Sequence, residues 1–157
     1  MAIYMNTLDW DLLAKPAPLI NMAARSFARL GERRLKSLGL NVAQVPVLYL
    51  LRNGEALSQK SLAQLTRVEQ PSMAQTLVRM EREGLIQRTP APDDRRSQLI
   101  SLTGAALAKL PAAREALDAG SSRALEGFSD AEAATLLALL RRLNQNLDRM
   151  VIEEALL

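Results

Sequence analysis

Residues 57–103 constrain the fold of this chain most strongly, because signals for two helices and two strands follow one another there with only short connections. Ser58 can cap a short helix over residues 59–66, since its hydroxyl can accept a hydrogen bond from an unpaired backbone N–H. Pro71 is tolerated in the first turn of a second helix over residues 70–83, where its missing N–H has no partner to lose. The pattern predicts a helix, a tight turn and a longer helix.

The residues after the second helix predict a small β-hairpin. Gly84 can end the helix in a left-handed conformation. The runs LIQRT (85–89) and SQLISL (97–102) are typical of short strands, and the two prolines between them limit the length of the ladder. The tip, TPAPDDRR, is therefore expected to project as an exposed arm, or wing.

The second helix has two faces of different composition. Met73, Leu77 and Met80 recur at helical spacing and predict the buried face. The other face carries side chains that can form hydrogen bonds with base edges in a DNA major groove, where Arg pairs with guanine and Gln with adenine. The predicted base-reading residues are Gln70, Ser72, Gln75, Thr76 and Arg79. An ordinary solvated helix also has a polar outer face, and that alternative stays open for this helix taken alone.

Charged side chains surround the predicted wing tip. Arg88, Arg95 and Arg96 supply positive charge suited to phosphates or to a narrow minor groove. Asp94 lies beside two of these arginines, and a carboxylate can hold a guanidinium in one orientation through paired hydrogen bonds. The combination predicts a winged helix-turn-helix that binds double-stranded DNA. A solvated turn with self-neutralising charges is the alternative for the tip alone.

Composition excludes several classes of function. The 157 residues include neither cysteine nor histidine, so disulfides, thiol catalysis, the usual zinc sites and Ser-His-Asp triads are excluded, and no cofactor or metal is expected. No apolar run is long enough to span a membrane, and the first residues lack the pattern of a signal peptide, so we expect a cytoplasmic protein. The formal net charge is only +3, so a DNA-binding surface requires clustered basic residues.

Helical patterns precede the winged segment, and 48% apolar against 3% aromatic residues fit a mainly helical chain. An amphipathic helix is predicted to run from Leu19 to Gly39. A central helix, apolar nearly all round, is predicted to be capped by Asn41 with Gln44 and distorted at Pro46.

Two more helices are predicted after the wing. The first follows Thr103 and is expected to be interrupted at Pro111 and Gly120, and the second opens with a capping box of Ser129 and Glu132. The apolar stripes of these outer helices are too long for a small winged domain to cover. A second copy of the chain is the simplest partner, since a dimer places two recognition helices on a palindromic site. An intramolecular helical bundle is the alternative.

The expected fold is mainly α with a small β-hairpin wing. A winged helix-turn-helix over residues 41–103 is expected to lie between two parts of a helical dimerisation lobe, residues 1–40 and residues 104–157.

The segments SQKSLAQL, EQPSMAQTLVRMEREGLIQR and DDRRSQLISLT resemble the winged helix-turn-helix of the MarR family of bacterial transcriptional regulators. The resemblance extends over most of the chain, and the D-x-R pattern before a strand ending in Leu-Thr is its most specific part. By position, Asp94 and Arg96 match the family's wing residues, which implies that Arg96 reaches the minor groove while Asp94 orients it. Ser72, Gln75 and Arg79 match positions that read the major groove.

The resemblance also implies a two-fold homodimer, with its terminal helices interleaved, acting on the bacterial nucleoid. Many members bind a small-molecule effector, often an aromatic or phenolic acid, between the dimer helices and the winged lobe. Such an effector would act by favouring a spacing of the two lobes that does not fit DNA. The candidate effector-binding residues are Arg25, Phe27, Arg29, Leu48, Tyr49 and Arg52.

The expected function is therefore that of a homodimeric, sequence-specific repressor that a small molecule releases from DNA. An architectural DNA-binding protein without an effector is the alternative, and it would bind any duplex with similar affinity. An enzyme is not expected, because no paired carboxylates or glycine-rich phosphate loop occur at useful spacing.

Overall fold

The computed structural model describes residues 12–92 and 97–156. It confirms a mainly helical chain with a small antiparallel sheet. The chain divides into two compact units, one up to Gly120 and the other from Ser121 onward. In chain order the elements are α1 (Pro16–Leu35), α2 (Val45–Leu50), β1 (Leu57–Ser58), α3 (Gln59–Thr66), α4 (Gln70–Arg82), β2 (Ile86–Pro90), β3 (Gln98–Leu102), α5 (Gly104–Ala124) and α6 (Asp130–Glu154).

The sheet has three antiparallel strands in the order β1-β3-β2. Ile100 in the central strand lies opposite Leu57 on one side and Arg88 on the other. Pro90 ends β2 opposite Gln98, on an edge strand, where a missing N–H is tolerated. The strand β1 was not predicted, because a segment of two residues has too little pattern to identify a strand.

The core of the first unit lies between α4, the sheet and the preceding helices. Met73, Leu77 and Met80 are buried, as their helical spacing predicted. The same apolar cluster includes Leu35, Val47, Leu51, Leu62, Leu85, Ile100, Leu102 and Ala106. Because one side of α4 is fixed in this cluster, its opposite side points away from the core.

Leu65 and Tyr49 lie on the surface of the first unit, although each belongs to a helix with an apolar side. Leu65 is exposed because α3 buries only one narrow stripe, which Leu62 and Ala63 occupy. Tyr49 is 61% exposed, so α2 is not buried all round. Its ring lies beneath the guanidinium of Arg52, with 4.0 Å between the guanidinium carbon and the ring centroid.

The junction between α1 and α2 is built from short 3-10 turns. The predicted capping box of Asn41 and Gln44 is confirmed, but it opens a 3-10 turn, Val42–Gln44, that leads directly into α2. Pro46 therefore lies in the first turn of α2 and not inside a longer helix. The predicted α1 also begins earlier, at Pro16, and ends at Leu35.

The predicted interruptions of α5 are wrong, because the helix continues through Pro111 and Gly120. Gly120 is buried, and a Cβ atom there would collide with the guanidinium of Arg34 in α1. This glycine therefore leaves room for the Arg34 side chain and does not mark a break.

The second unit contains α6, whose predicted capping box is confirmed. The Ser129 hydroxyl accepts a hydrogen bond from the Glu132 N–H at 3.3 Å, and a Glu132 carboxylate oxygen accepts one from the Ser129 N–H at 2.8 Å. No residue of α6 is buried in the single chain. In the described part of the chain, no helix is both long enough and apolar enough to cross a membrane.

Candidate nucleic-acid interface

The helix-turn-helix is formed by α3, a turn at residues 67–69 and α4. The Ser58 hydroxyl caps α3 by accepting a hydrogen bond from the Ser61 N–H at 3.1 Å, as its position predicted. Arg67 ends α3 in the left-handed region, with φ of 55°. This conformation reverses the chain within three residues, so that α4 can begin at Gln70 with Pro71 in its first turn.

The predicted base-reading residues are not equivalent in the structure. Gln70, Ser72, Gln75 and Arg79 are exposed, whereas Thr76 is half-buried. The Thr76 hydroxyl donates to the Ser72 carbonyl at 3.1 Å, one turn back along α4. Gln75 is therefore the predicted residue whose amide lies most directly opposite the buried face of the helix.

Arg79 is held by a carboxylate at the end of the same helix. Its Nε atom donates to Oε1 of Glu83 at 2.8 Å, which raises the pKa of Arg79 and lowers that of Glu83. The second oxygen of Glu83 accepts a hydrogen bond of 2.6 Å from Nε2 of Gln44, which is 1% exposed. The ion pair engages only Nε of Arg79, and a guanidinium has five N–H donors, so Glu83 can orient Arg79 without preventing its contact with DNA.

The stripe of α4 that lies opposite its buried face differs from the predicted polar stripe. Positions 71, 75, 78 and 82 follow the spacing i, i+4, i+7 and i+11, and all four side chains are exposed: Pro71, Gln75, Val78 and Arg82. We call these four residues the outward stripe. Val78 and Arg82 were not among the predicted site residues, although their spacing from Gln75 was visible in the sequence.

The wing is tied to α4 by a second ion pair. Arg88 in β2 donates from Nε to Oε2 of Glu81 at 3.0 Å, and its side chain is only 20% exposed. Arg88 therefore links β2, the first strand of the wing, to α4. The other predicted wing residues, Asp94, Arg95 and Arg96, lie outside the described residues.

The six candidate effector residues have different environments. Arg25, Phe27 and Arg29 are exposed on α1, and Tyr49 and Arg52 form the stacked pair described above. Leu48 is 3% exposed and packs in the core, so contact with a ligand there would require the core to open. The described residues contain no group of three carboxylates able to hold a metal ion.

Comparison with known proteins shows which fold and which family the chain resembles. The MarR family model matches residues 38–97. The uncharacterised HTH-type transcriptional regulator YybA of Bacillus subtilis (strain 168) is 26% identical over 130 residues, which cover 83% of this chain and 87% of YybA.

Two solved structures have the same fold. The transcriptional regulator SlyA superposes with a TM-score of 0.79 at 24% identity, covering 88% of this chain and 95% of SlyA. A mutant MarR from E. coli complexed with operator DNA superposes with a TM-score of 0.74 at 26% identity, covering 81% of this chain and 91% of that protein. The family model and these relatives confirm the resemblance to MarR-family regulators that the sequence indicated.

Proposed function

We propose that this chain is a homodimeric transcriptional regulator that binds a palindromic DNA site and represses its target genes. The observation that carries the proposal is the placement of α4, whose apolar side is fixed in the core while Gln75 and Arg82 are exposed on the outward stripe. A helix presented in this way can enter a major groove and form hydrogen bonds with base edges. The complex of the related MarR with operator DNA supports the same role for this chain.

The proposed dimer is supported by the apolar side chains that α6 leaves in solvent. None of its residues is buried in the single chain, although it is rich in leucine. The large apolar residues exposed on α6 are Leu136, Leu137, Leu139, Leu147, Met150, Val151 and Ile152. Exposed apolar surface of this extent is typical of a protein interface, and a second copy of the chain can cover it symmetrically.

The proposal includes a small-molecule effector of the aromatic-acid class. Supporting it are the stacked Tyr49 and Arg52 side chains and the exposed Phe27 with its neighbouring arginines on α1. A guanidinium can pair with a carboxylate, and an aromatic ring can stack on the acid's ring. Titration with a panel of phenolic acids should lower DNA affinity for at least one compound. No change across the panel would remove this part of the proposal.

DNA binding is tested with the duplex immediately upstream of the chain's own coding region, in competition with a scrambled duplex across a salt series. A preference of about a thousandfold or more for the native duplex is expected for a specific regulator. Equal binding to both would favour an architectural role, and selection from random duplexes would then show whether any sequence is preferred.

The dimer is tested by sedimentation equilibrium. The wild-type chain should have twice the monomer mass, whereas Leu147→Arg with Val151→Arg should give monomers, because two charges would enter the proposed interface. Gln145→Arg, a change on the same helix, serves as the control and should remain dimeric. A monomeric wild-type chain at micromolar concentration would contradict the proposed dimer.

A further inference from the structure

We propose that Val78 is a specificity-determining residue that contacts the 5-methyl group of a thymine in the major groove. The inference rests on the proposed DNA-binding function and deepens it, because it assigns one base contact to one apolar side chain. Val78 lies on the outward stripe, three residues after Gln75 and four residues before Arg82. Its side chain therefore neighbours that of Gln75 on the same side of α4.

The two flanks of α4 indicate which side of the helix is free to meet DNA. On one flank, Glu81 is paired with Arg88 of the wing at 3.0 Å. On the other flank, Glu83 accepts hydrogen bonds from Arg79 and from Gln44. Both flanks are therefore attached to the rest of the first unit, and the outward stripe lies between them, facing away from the core.

Val78 is 61% exposed, although its side chain has no polar group to interact with water. A β-branched residue also has lower helix propensity than the Lys, Glu or Gln that usually occupy exposed helix positions. Single exposed apolar residues are common on protein surfaces, so the exposure of Val78 does not by itself indicate a partner. Its position between Gln75 and Arg82 on the outward stripe is what favours contact with an apolar group of the DNA.

Thymine offers the apolar group that fits. It alone among the four DNA bases carries a methyl group in the major groove, and apolar side chains contact that methyl in protein–DNA complexes. Gln75 and Arg82 lie on either side of Val78 along the stripe and can supply a base hydrogen bond and a phosphate contact. The geometry points to a reading pattern in which a thymine lies next to the base pair contacted by Gln75.

The experiment starts with selection of the wild-type binding site from random duplexes. Each thymine of the selected site is then replaced by deoxyuridine, which removes the methyl group and preserves base pairing. One thymine in each half-site should be sensitive to this replacement. Replacing it in a single half-site should lower wild-type affinity about fourfold, the effect of one buried methyl group. The variant Val78→Ser should show no loss at that thymine and should bind the unmodified site about as weakly as the wild type binds the uracil site.

Two matched measurements separate specificity from folding. Leu65→Ser changes another exposed apolar residue of the same unit and should keep the wild-type uracil profile. Thermal unfolding of Val78→Ser should match the wild type, because the side chain is exposed. Identical uracil profiles for wild type and Val78→Ser would overturn the inference while leaving sequence-specific binding intact. Failure of the wild type to select any site would overturn the proposed function itself.

Discussion

The buried side chain of Gln44 donates a hydrogen bond of 2.6 Å from Nε2 to Oε2 of Glu83, joining the start of α2 to the end of the recognition helix. Gln44 also accepts a hydrogen bond through Oε1 from the Asn41 N–H at 3.0 Å. The other oxygen of Glu83 accepts the Arg79 guanidinium at 2.8 Å. One carboxylate thus accepts hydrogen bonds from both a buried amide and an exposed arginine.

Replacing Gln44 with glutamate tests this junction. Gln44→Glu preserves the shape of the side chain but brings two carboxylates together at a buried position. We expect a loss of about 1–3 kcal/mol in the free energy of unfolding at pH 7. The new carboxyl should have a raised pKa, so the folded chain binds more protons than the unfolded chain. Stability should therefore recover as the pH falls toward 5, as measured by urea unfolding at a series of pH values.

The swapped pair provides the control for this variant. In Gln44→Glu with Glu83→Gln, the amide and the carboxylate exchange positions, so a hydrogen bond between them is possible again. Stability at pH 7 should recover only in part, because the change of Glu83 to glutamine also removes the ion pair with Arg79. If the double variant were as unstable as the sum of its single changes, the direct contact between the two side chains would be refuted.

The ion pair of Arg79 and Glu83 should make the free energy of unfolding depend on pH in the acid range. Arg79 lowers the pKa of Glu83 from its ordinary value of 4.5. Because the pKa of Glu83 is lower in the folded chain than in the unfolded chain, the ion pair stabilises the fold fully at pH values above the ordinary pKa of 4.5. This stabilisation is lost as the pH falls through the lowered pKa of the folded chain. Wild-type stability should therefore decline more steeply below about pH 4.5 than that of Glu83→Gln. Arg79→Met should flatten the decline similarly; an unchanged decline would mean that the hydrogen bond from Gln44, and not Arg79, lowers this pKa.

Two of the three wing arginines, Arg88 and Arg96, should differ in their effect on the salt dependence of DNA binding. Arg88 is paired with Glu81, so Arg88→Met should lower the free energy of unfolding by less than about 1 kcal/mol and leave the salt dependence of DNA binding unchanged. Arg96 is proposed to contact the minor groove, so Arg96→Met should weaken binding to all sequences. Its log–log salt slope should be smaller by about one per chain. Fluorescence anisotropy across a salt series measures the DNA affinity of each variant and its salt slope. Equal slopes for Arg88→Met and Arg96→Met would contradict the assignment of the DNA contact to Arg96.

The winged segment was largely predictable because its boundaries carry local signals. Ser58 caps α3, Pro71 lies in the first turn of α4, and Gly84 adopts a positive φ after the end of α4. The residue type alone predicts each of these features. The apolar repeat of α4 likewise identified its buried face. Signals of this kind act within one or two helical turns, so a single sequence is enough to show them.

The features that were missed depend on contacts between distant segments. The hydrogen bond between Gln44 and Glu83 joins residues 39 positions apart, and no local pattern indicates it. Gly120 looked like a helix break, but its role is decided by the Arg34 side chain packed against it. The outward direction of α4 likewise depends on the partners that engage its two flanks. The sequence could therefore identify the buried face of α4, but it could not show that the stripe of Gln75 and Val78, and not that of Thr76 and Arg79, lies opposite it.

Gly31 should be intolerant of a side chain because of its contact with the α1–α2 junction. A Cβ atom at this position would lie 2.7 Å from Cγ2 of Val42, a short, branched side chain with little freedom to move. Gly31→Ala should lower the free energy of unfolding by about 1–3 kcal/mol in spite of the better helix propensity of alanine. Adding Val42→Ala should restore part of the loss. Gly104→Ala serves as the control, since no atom lies within 4 Å of its added Cβ.

The turn before the recognition helix is strained at Arg67, the only residue other than glycine with a positive φ in the described ranges 12–92 and 97–156. A left-handed conformation costs an L-residue about 1–2 kcal/mol, whereas glycine adopts it without steric penalty. We therefore expect Arg67→Gly to raise the free energy of unfolding by about 0.5–1 kcal/mol in urea titrations, the strain relief being reduced by the entropy of glycine in the unfolded chain.

Arg67→Ala keeps the steric penalty and removes the same long side chain, so it should not be more stable than the wild type. The difference between the glycine and alanine variants then isolates the backbone strain from the contacts of the arginine side chain. Because the strained turn lies immediately before Gln70, the same variants should be compared on DNA. A glycine variant that is more stable but binds its site more weakly would indicate that the arginine contributes to binding at this turn, while a glycine variant less stable than alanine would contradict the strain.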